Sequence, residues 1–274
     1  MTAVERVKAW GFGLNQRTLV AILSITILAV WLFSTPGGLL GKADAVGYAV
    51  CHRIDARSFH LGDRQLPLCA RCTGIYLGVI LGLAAMAAGG RSRAGMLPPR
   101  GVIAILVGFI ALMGFDGINS YLTFFPSLPH LYEPRNWLRL TTGTLNGLAL
   151  AALIYPTFNQ TLWRRWEPVR AVQGIRELVG LMALAAILIA LVLTENPLIL
   201  YPLALLSAAG VLALLTLIYA IVVLMLLRRE NSAESWRDVA LPVVAGLTLA
   251  ILQVGLIDLV RHALTGTWGG FPLL

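Results

Sequence analysis

The chain has 274 residues, of which 58% are hydrophobic and only 12% are charged. A soluble domain of this size carries about twice that charged fraction, so the composition excludes a soluble enzyme and indicates a multi-pass membrane protein. The formal net charge is +8, but the basic residues stand in short loops between apolar segments. That pattern is typical of membrane topology signals and lipid contacts, and it argues against a nucleic-acid partner.

Long apolar segments along the chain predict seven membrane-spanning helices. They cover about residues 18–33, 73–90, 101–120, 137–155, 178–193, 198–227 and 239–260. Pro156 is predicted to end the fourth of them. Because no internal repeat or soluble segment is evident, the fold predicted is an all-α, polytopic transmembrane helical bundle, with residues 1–274 as one domain in the lipid bilayer.

The distribution of basic residues predicts that the N-terminus lies inside the cell. The N-terminal segment, with Arg6, Lys8 and Arg17, and the loops after spans two, four and six are basic, whereas the loops after spans three and five are poor in basic residues. The first loop breaks this rule with five basic residues: Lys42, Arg53, Arg57, Arg64 and Arg71. Either the span count is wrong by one, or these residues serve a site. The agreement of the other loops favours the second interpretation.

This orientation predicts that the unusual polar residues of the chain converge at one membrane level, on the outer face. The segments that meet there are the first loop, 116–120, 136–139, Glu195 and 258–262. Convergence of polar groups at one end of an apolar bundle indicates a functional site more strongly than any single motif.

The loop between the first two spans holds all three cysteines of the chain, Cys51, Cys69 and Cys72, together with His52 and His60. A Cys-x-x-Cys pair can hold a metal ion or form a disulfide, and a third cysteine with one histidine completes a tetrahedral zinc set. His60 is sterically easier than His52, which directly follows Cys51. The alternatives are thiol–disulfide exchange, coupled to a membrane quinone, and a structural disulfide or an unliganded set.

Asp116 at the end of the third span is an ionisable residue near membrane depth, where a charge is costly without a partner. Arg139, at the facing end of the fourth span, is the predicted partner, and Asn136 lies on the same helical face. In a catalytic site Asp116 would be the general base and Arg139 would hold an anion. The alternative is a structural ion pair between two helices. Asp258 and Arg261, three residues apart, are predicted to pair along the last span.

Several of these motifs resemble a family of prokaryotic membrane proteins catalogued as domain of unknown function 2085. The matching pieces are Cys51-His52, Arg57-Ser58-Phe59, Pro67-Leu68-Cys69-Ala70-Arg71-Cys72-Thr73-Gly74-Ile75-Tyr76, Asp116-Gly117, Asn136-x-x-Arg139 and Thr142-Gly143. The family-like core covers about residues 45–150, and the spans at 178–260 lie beyond it. The resemblance implies a multi-pass membrane protein of the cell membrane, and it implies His52, not His60, as the histidine of the signature. It implies no known reaction.

The sequence thus predicts a membrane-embedded metalloprotein, with zinc held by Cys51, His52, Cys69 and Cys72. Asp116, Asn136 and Arg139 are predicted to form an adjoining polar pocket. Four protein ligands would indicate a structural zinc, whereas three ligands and an open position would permit chemistry on a lipid-linked or other small substrate. The two other classes left open are a quinone-coupled thiol–disulfide oxidoreductase and a transporter or assembly subunit without chemistry.

Overall fold

The computed structural model describes residues 14–125, 127 and 129–270. The helices are α1 (Leu14–Ser34), α2 (Gly38–Val50), α3 (Ala70–Ala88), α4 (Arg100–Leu122), α5 (Asn136–Leu162), α6 (Ile175–Leu193), α7 (Pro197–Leu226) and α8 (Trp236–Thr265). The strands are β1 (His60–Leu61), β2 (Arg64–Gln65), β3 (Ala94–Met96) and β4 (Glu167–Arg170), with one 3-10 turn at Asp55–Arg57. The predicted all-α class is confirmed. Arg6 and Lys8, used to predict orientation, lie outside the described residues.

Seven of the eight helices coincide with the seven predicted spans, and α2 is a short helix inside the first loop. Six of the seven are long and apolar enough to cross a membrane; α5 is the exception. Its polar residues are turned inward, since Arg139, Thr142 and Asn146 are all buried. A polar residue inside a bundle is protected from lipid, so hydropathy alone undervalues such a helix. Seven spans and an inside N-terminus stay predictions.

The centre of the bundle is the contact between α3 and α5, the most extensive contact between two helices in the described chain. Glycines face each other across it, and a side chain at Gly78 or Gly147 would collide with the backbone of the opposite helix. Small residues four apart allow helix backbones to approach closely where no water drives association. This close approach holds the first turn of α3 next to the first turns of α5.

The prediction that Pro156 ends the fourth span is wrong, because α5 continues through it to Leu162. The final turn is held by contacts outside the helix: Asn159 donates a hydrogen bond to the carbonyl of Ala94 at 2.9 Å, and Gln160 donates to the carbonyl of Gly95. Proline is tolerated inside a membrane helix where neighbouring elements support the turn around it.

The loops after α3, α5 and α7 meet at one end of the bundle. Strand β3 pairs in parallel with β4, and Trp163 forms a bridge with Ala233. The opposite end, called the site end below, gathers residues 51–69, the end of α4, the start of α5 and the end of α8, and the contacts there are described below. Four of the five segments predicted to converge, all but Glu195, therefore meet here, and their place on the outer face stays a prediction.

Candidate functional site

Three cysteines from separate places in the chain meet at the site end. Cys51 is the C-cap of α2, Cys69 is the N-cap of α3, and Cys72 lies in the first turn of α3. Their sulfur atoms all lie within 4.8 Å of one another. Cys51 and Cys69 are buried and Cys72 is partly buried. Among the described residues this is the one group of three or more histidine, cysteine or acidic side chains close enough to share a metal ion.

The surroundings of the cluster favour negative charge on Cys51. Hydrogen bonds from the thiols of Cys69 and Cys72 lower the pKa of Cys51 well below its usual value, despite burial. The sulfur also accepts hydrogen bonds from the backbone N–H groups of Cys69 at 3.3 Å and Arg53 at 3.4 Å. The same contact with Cys51 raises the pKa of Cys69 to about 12. The three sulfurs therefore act as one coupled group at a helix N-terminus, where the dipole favours an anion.

Neither histidine of the loop joins the three sulfurs. The Nδ1 atom of His52 accepts a hydrogen bond from the backbone N–H of Ile54 at 3.0 Å. Burial lowers the pKa of His52, and the charges of nearby arginines lower it further, so the imidazole is neutral and available to a metal. His60 lies on β1, where its Nε2 atom is 2.9 Å from a carboxylate oxygen of Asp55. The structure thus brings together three of the four predicted ligands.

Asp116 is fully paired, but the prediction that Arg139 is its partner is wrong. Arg71 forms the ion pair with Asp116 and also donates a hydrogen bond to the hydroxyl of Ser120 at 3.1 Å. The other carboxylate oxygen of Asp116 accepts a hydrogen bond from the hydroxyl of Tyr132 at 2.8 Å. Arg71 is available because α3 packs so closely on α5 that its first turn also reaches the end of α4.

The position of Tyr132 depends on Asn119, one turn after Asp116 on α4. The amide of Asn119 donates to the carbonyl of Tyr132 and accepts from the backbone N–H of Leu131, both at 2.8 Å. Burial and then the hydrogen bond to Asp116 raise the pKa of Tyr132 to about 12. Sequence reasoning missed Tyr132, since a tyrosine in a Pro-rich loop carries no signal of its partner.

Arg139 is 5% exposed and donates a hydrogen bond at 2.9 Å to Asn136 on its own helix. Asn136 in turn donates to the carbonyls of Ala56 and Ser58, both at 3.3 Å, and so attaches α5 to the turn that carries Arg57. The Nε atom of Arg139 is buried without a hydrogen-bond partner. Its guanidinium charge therefore lies in the interior beside an amide and not beside a carboxylate.

Arg57 is the third arginine of this pocket; the sequence placed it among the loop residues that serve a site, but not in the pocket of Asp116. It donates hydrogen bonds at 3.0 Å to the carbonyl of Ser120 and the hydroxyl of Thr123, and it lies over the ring of Phe124 at 3.9 Å. Burial and the charge of Arg71 lower its pKa. Three arginines whose charges act on one another therefore lie near a single carboxylate, and the pocket carries an excess of positive charge.

The end of α8 closes the other side of the cysteine loop. Arg261 donates hydrogen bonds to the carbonyls of Tyr48 and Cys51. The predicted pair between Asp258 and Arg261 is an interaction of charges without a hydrogen bond, because neither carboxylate oxygen of Asp258 has a hydrogen-bond partner among the described residues. The Arg261 guanidinium faces the backbone at the end of α2. Glu195 lies at an exposed turn with a positive φ of 49°, away from these contacts.

The basic residues that break the charge rule in the first loop all have partners within the protein. Lys42 donates to the hydroxyl and carbonyl of Thr35 at 2.9 and 3.0 Å. Arg53 and Arg64 both pair with Asp44. The other two arginines of the loop contact α4, as described above. These contacts support the interpretation that the loop is basic because of a site and not because of topology.

The helices, the apolar surface and the polar site end together define an integral membrane protein of the helical-bundle class, located in the cell membrane. The chain belongs to the family described as predicted membrane protein DUF2085, whose pattern matches residues 51–153. That range includes all three cysteines, Asp116 and Arg139.

Two archaeal relatives are similar to part of the chain. An uncharacterized protein of Methanocaldococcus jannaschii is 28% identical over 123 residues, which are 45% of this chain and 72% of the relative. An uncharacterized protein of Methanothermobacter thermautotrophicus is 31% identical over 104 residues, which are 38% of this chain and 83% of the relative. No solved structure matches the chain. The geometry of the site is therefore the basis for the function of this protein.

Proposed function

We infer that this protein is a membrane-embedded metalloprotein in which Cys51, Cys69 and Cys72 bind one zinc ion at the N-terminal end of α3. The observation that carries the proposal is the convergence of three sulfurs within 4.8 Å from residues up to 21 positions apart in the chain. Zinc bonded to sulfur at about 2.3 Å in a tetrahedron separates its sulfurs by about 3.8 Å, which falls within this limit.

The chemistry of the surroundings also fits a bound cation. Cys51 and Cys69 belong to an apolar cluster with Val46, Leu68 and Val254. Thiolates in an apolar interior are costly unless a metal ion neutralises them. Three sulfur ligands are the donor set that selects zinc or another soft metal over magnesium or calcium.

The fourth coordination position distinguishes two forms of the proposal. His52 is the protein ligand proposed for it, since the imidazole is neutral and only one residue from Cys51; it would have to exchange its hydrogen bond with Ile54 for the metal. With His52 bound, the shell is closed and the metal fixes the loop to α3. With His52 unbound, zinc would supply Lewis-acid chemistry at an open position.

The arginine pocket is proposed to bind an anionic group of a lipid-linked or other small substrate. Arg57 and Arg139 form no ion pair with a carboxylate among the described residues, whereas Arg71 is occupied by Asp116. Arginine presents a planar set of donors that suits phosphate or carboxylate. Asn136 orients Arg139, and Asp116 is proposed as the proton acceptor of the pocket because Tyr132 already donates a hydrogen bond to it.

Metal analysis of the purified full-length protein tests the zinc site. After reconstitution with zinc under reducing conditions we expect one equivalent per chain, lost in Cys72→Ser. The matched control is His60→Gln, which removes a histidine of the same loop that faces Asp55, and it should keep the zinc. Wild-type protein without metal, but with a disulfide detected by mass spectrometry, would instead support the thiol–disulfide oxidoreductase.

Anion binding needs a separate measurement. Native mass spectrometry of the detergent-purified protein with a phosphate-bearing lipid should show weaker retention of the lipid in Arg139→Gln than in wild type. Arg64→Gln is the control, because Arg64 is about half exposed and pairs with Asp44. Equal retention in all three proteins would remove the anion-binding role from Arg139. Competition by inorganic phosphate distinguishes a soluble anion from a lipid headgroup.

A further inference from the structure

A second group of polar atoms lies at the site end, apart from the cysteines and the arginine pocket. A cavity of about 100 Å³ separates α1 from α8 and the segment after α8, and its walls include Trp31, Asp258, His262 and Trp268. Trp31 and Asp258 are 7% and 3% exposed. The roles argued so far for the site end use none of these four side chains.

Three polar groups around this cavity form no hydrogen bond of regular geometry, although the indole of Trp31 faces the carboxylate of Asp258. Both carboxylate oxygens of Asp258, the Nε1 atom of Trp31 and the Nδ1 atom of His262 are buried without a hydrogen-bond partner among the described residues. Asp258 and His262 are four residues apart on α8, so they lie on the same helical face. Buried polar groups are almost always hydrogen-bonded in folded proteins, and a set without regular hydrogen bonds around one cavity indicates a bound species.

No described cation hydrogen-bonds to Asp258, and the nearest charge that acts on it is that of Arg261. From α8 itself, the Arg261 guanidinium donates to the carbonyls of Tyr48 and Cys51. From α2, the Lys42 ammonium group is held by Thr35 and the carbonyl of Leu32. Besides these groups and His262, the described residues that line the cavity are not titratable. A carboxylate enclosed without an ion pair is costly, and such a group takes up a proton instead.

The lining also favours a proton over a metal ion. Hard cations need several oxygen ligands. Next to Asp258 the walls supply an indole N–H, which can only donate, and an imidazole, while the hydroxyls of Ser34 and Thr35 already donate to the carbonyl of Trp31. A water molecule can accept from Trp31 and donate to Asp258, and a cavity of this volume has room for several.

We propose that Asp258 is an exchangeable proton-binding site, connected to the surface at the site end through water in this cavity and through His262. The proton comes from bulk water: hydronium gives it to the imidazole, which releases its other ring proton to the cavity water, and that water protonates the carboxylate. No other bond changes and no electrons are transferred. This role is independent of the metal and anion sites.

Labelling of the full-length protein with dicyclohexylcarbodiimide tests the proposal, because this reagent reacts with protonated carboxyl groups in apolar surroundings. Mass spectrometry should find Asp258 modified at low pH and less modified as the pH is raised, with no protection by sodium. Asp116, which is buried but paired with Arg71, should stay unmodified throughout. Protection by sodium would show a metal-cation site instead, and absence of labelling at every pH would overturn the proposal.

Infrared difference spectroscopy between low and high pH gives a second, independent measurement on wild-type protein. The carbonyl stretching band of a protonated carboxylic acid should appear at low pH and vanish in Asp258→Asn. His262→Gln should keep the band but slow its appearance after a pH jump. A band that persists in the Asp258→Asn variant, or an unchanged rate in His262→Gln, would contradict the assignment of the proton to Asp258 and of its path to His262.

Discussion

Two buried aspartates at the same end of the bundle have opposite surroundings. Asp116 on α4 is 1% exposed, forms an ion pair with Arg71 and accepts a hydrogen bond from Tyr132. Asp258 on α8 is 3% exposed and has no hydrogen-bond partner among the described residues. Asp116 lies within the segment that matches the family, and Asp258 lies outside it. The difference indicates that Asp116 organises a pocket through its partners, whereas Asp258 suits the exchangeable proton proposed above.

The largest expected effect is the loss of the ion pair at Asp116. Arg71→Met leaves the buried carboxylate without its counterion, and breaking such a pair from one side costs about 3–5 kcal/mol. Asp116→Asn removes the charge from the other side and should cost about 3 kcal/mol. Reversible unfolding in mixed detergent micelles, followed by circular dichroism, measures the free energy of unfolding of each variant.

Arg64→Met is the control for this prediction. Arg64 pairs with Asp44 but is about half exposed, and exposed ion pairs contribute at most about 1 kcal/mol. If Arg71→Met destabilised the protein no more than Arg64→Met does, Asp116 would not depend on Arg71, and the contrast with Asp258 would disappear.

A smaller effect is expected at Tyr132, the second partner of Asp116. Tyr132→Phe removes a hydrogen bond to a charged group at a partly exposed position, which should cost about 1–2 kcal/mol. The raised pKa of Tyr132, about 12 against an ordinary value of 10, also predicts a pH dependence. The folded state retains the phenol proton where the unfolded chain has lost it, so stability present below pH 10 falls as the pH rises towards 12.

Spectrophotometric titration of the folded protein checks this pH dependence directly. The difference in phenolate absorbance between wild type and Tyr132→Phe should have its midpoint near pH 12. A midpoint at the ordinary value near 10 would mean that Asp116 does not hold the hydroxyl proton.

The smallest effect is expected for Asp258→Asn. An amide is isosteric with a protonated carboxyl group, and Asp258 has no hydrogen bond to lose, so stability should change by less than about 0.5 kcal/mol. The same chemical change thus has a large effect at Asp116 and almost none at Asp258. Equal effects at both positions would show that Asp258 is charged and paired in the folded protein.

The helices and the convergence of the site end were predictable, because long apolar segments and basic loops follow from the bilayer alone. The continuation of α5 past Pro156 was not, since it depends on Asn159 and Gln160 reaching the strand after α3. The local sequence predicts that proline interrupts the helix, but it does not show which distant groups support the next turn.

The partner of Asp116 was predicted wrongly for a related reason. Arg139 was selected because the ends of adjacent spans are close, but Arg71 reaches the carboxylate across the tight contact of α3 with α5. A signal for that contact exists in the sequence: Gly74 and Gly78 are four apart on α3, as are Gly143 and Gly147 on α5. Glycines at this spacing on two membrane helices predict a close pair.

The cysteine cluster was predictable as a motif, because three cysteines within one polar loop of an apolar chain have few other uses. The position of the His52 side chain was not predictable. Side chains of adjacent residues leave the backbone in different directions, and the surrounding fold decides where each one points. His52→Ala is therefore an informative variant: zinc should still bind through the three cysteines, with a weaker affinity if the imidazole is the fourth ligand.

X-ray absorption spectroscopy at the zinc edge of the reconstituted full-length protein tests the central claim, that the three cysteines bind one metal ion. We expect the zinc ion to have three sulfur neighbours at about 2.3 Å and one lighter neighbour at about 2.0–2.1 Å. In Cys72→Ser the sulfur contribution should fall or the zinc should be lost. A spectrum of wild-type protein with only nitrogen and oxygen neighbours would contradict zinc binding by the three cysteines.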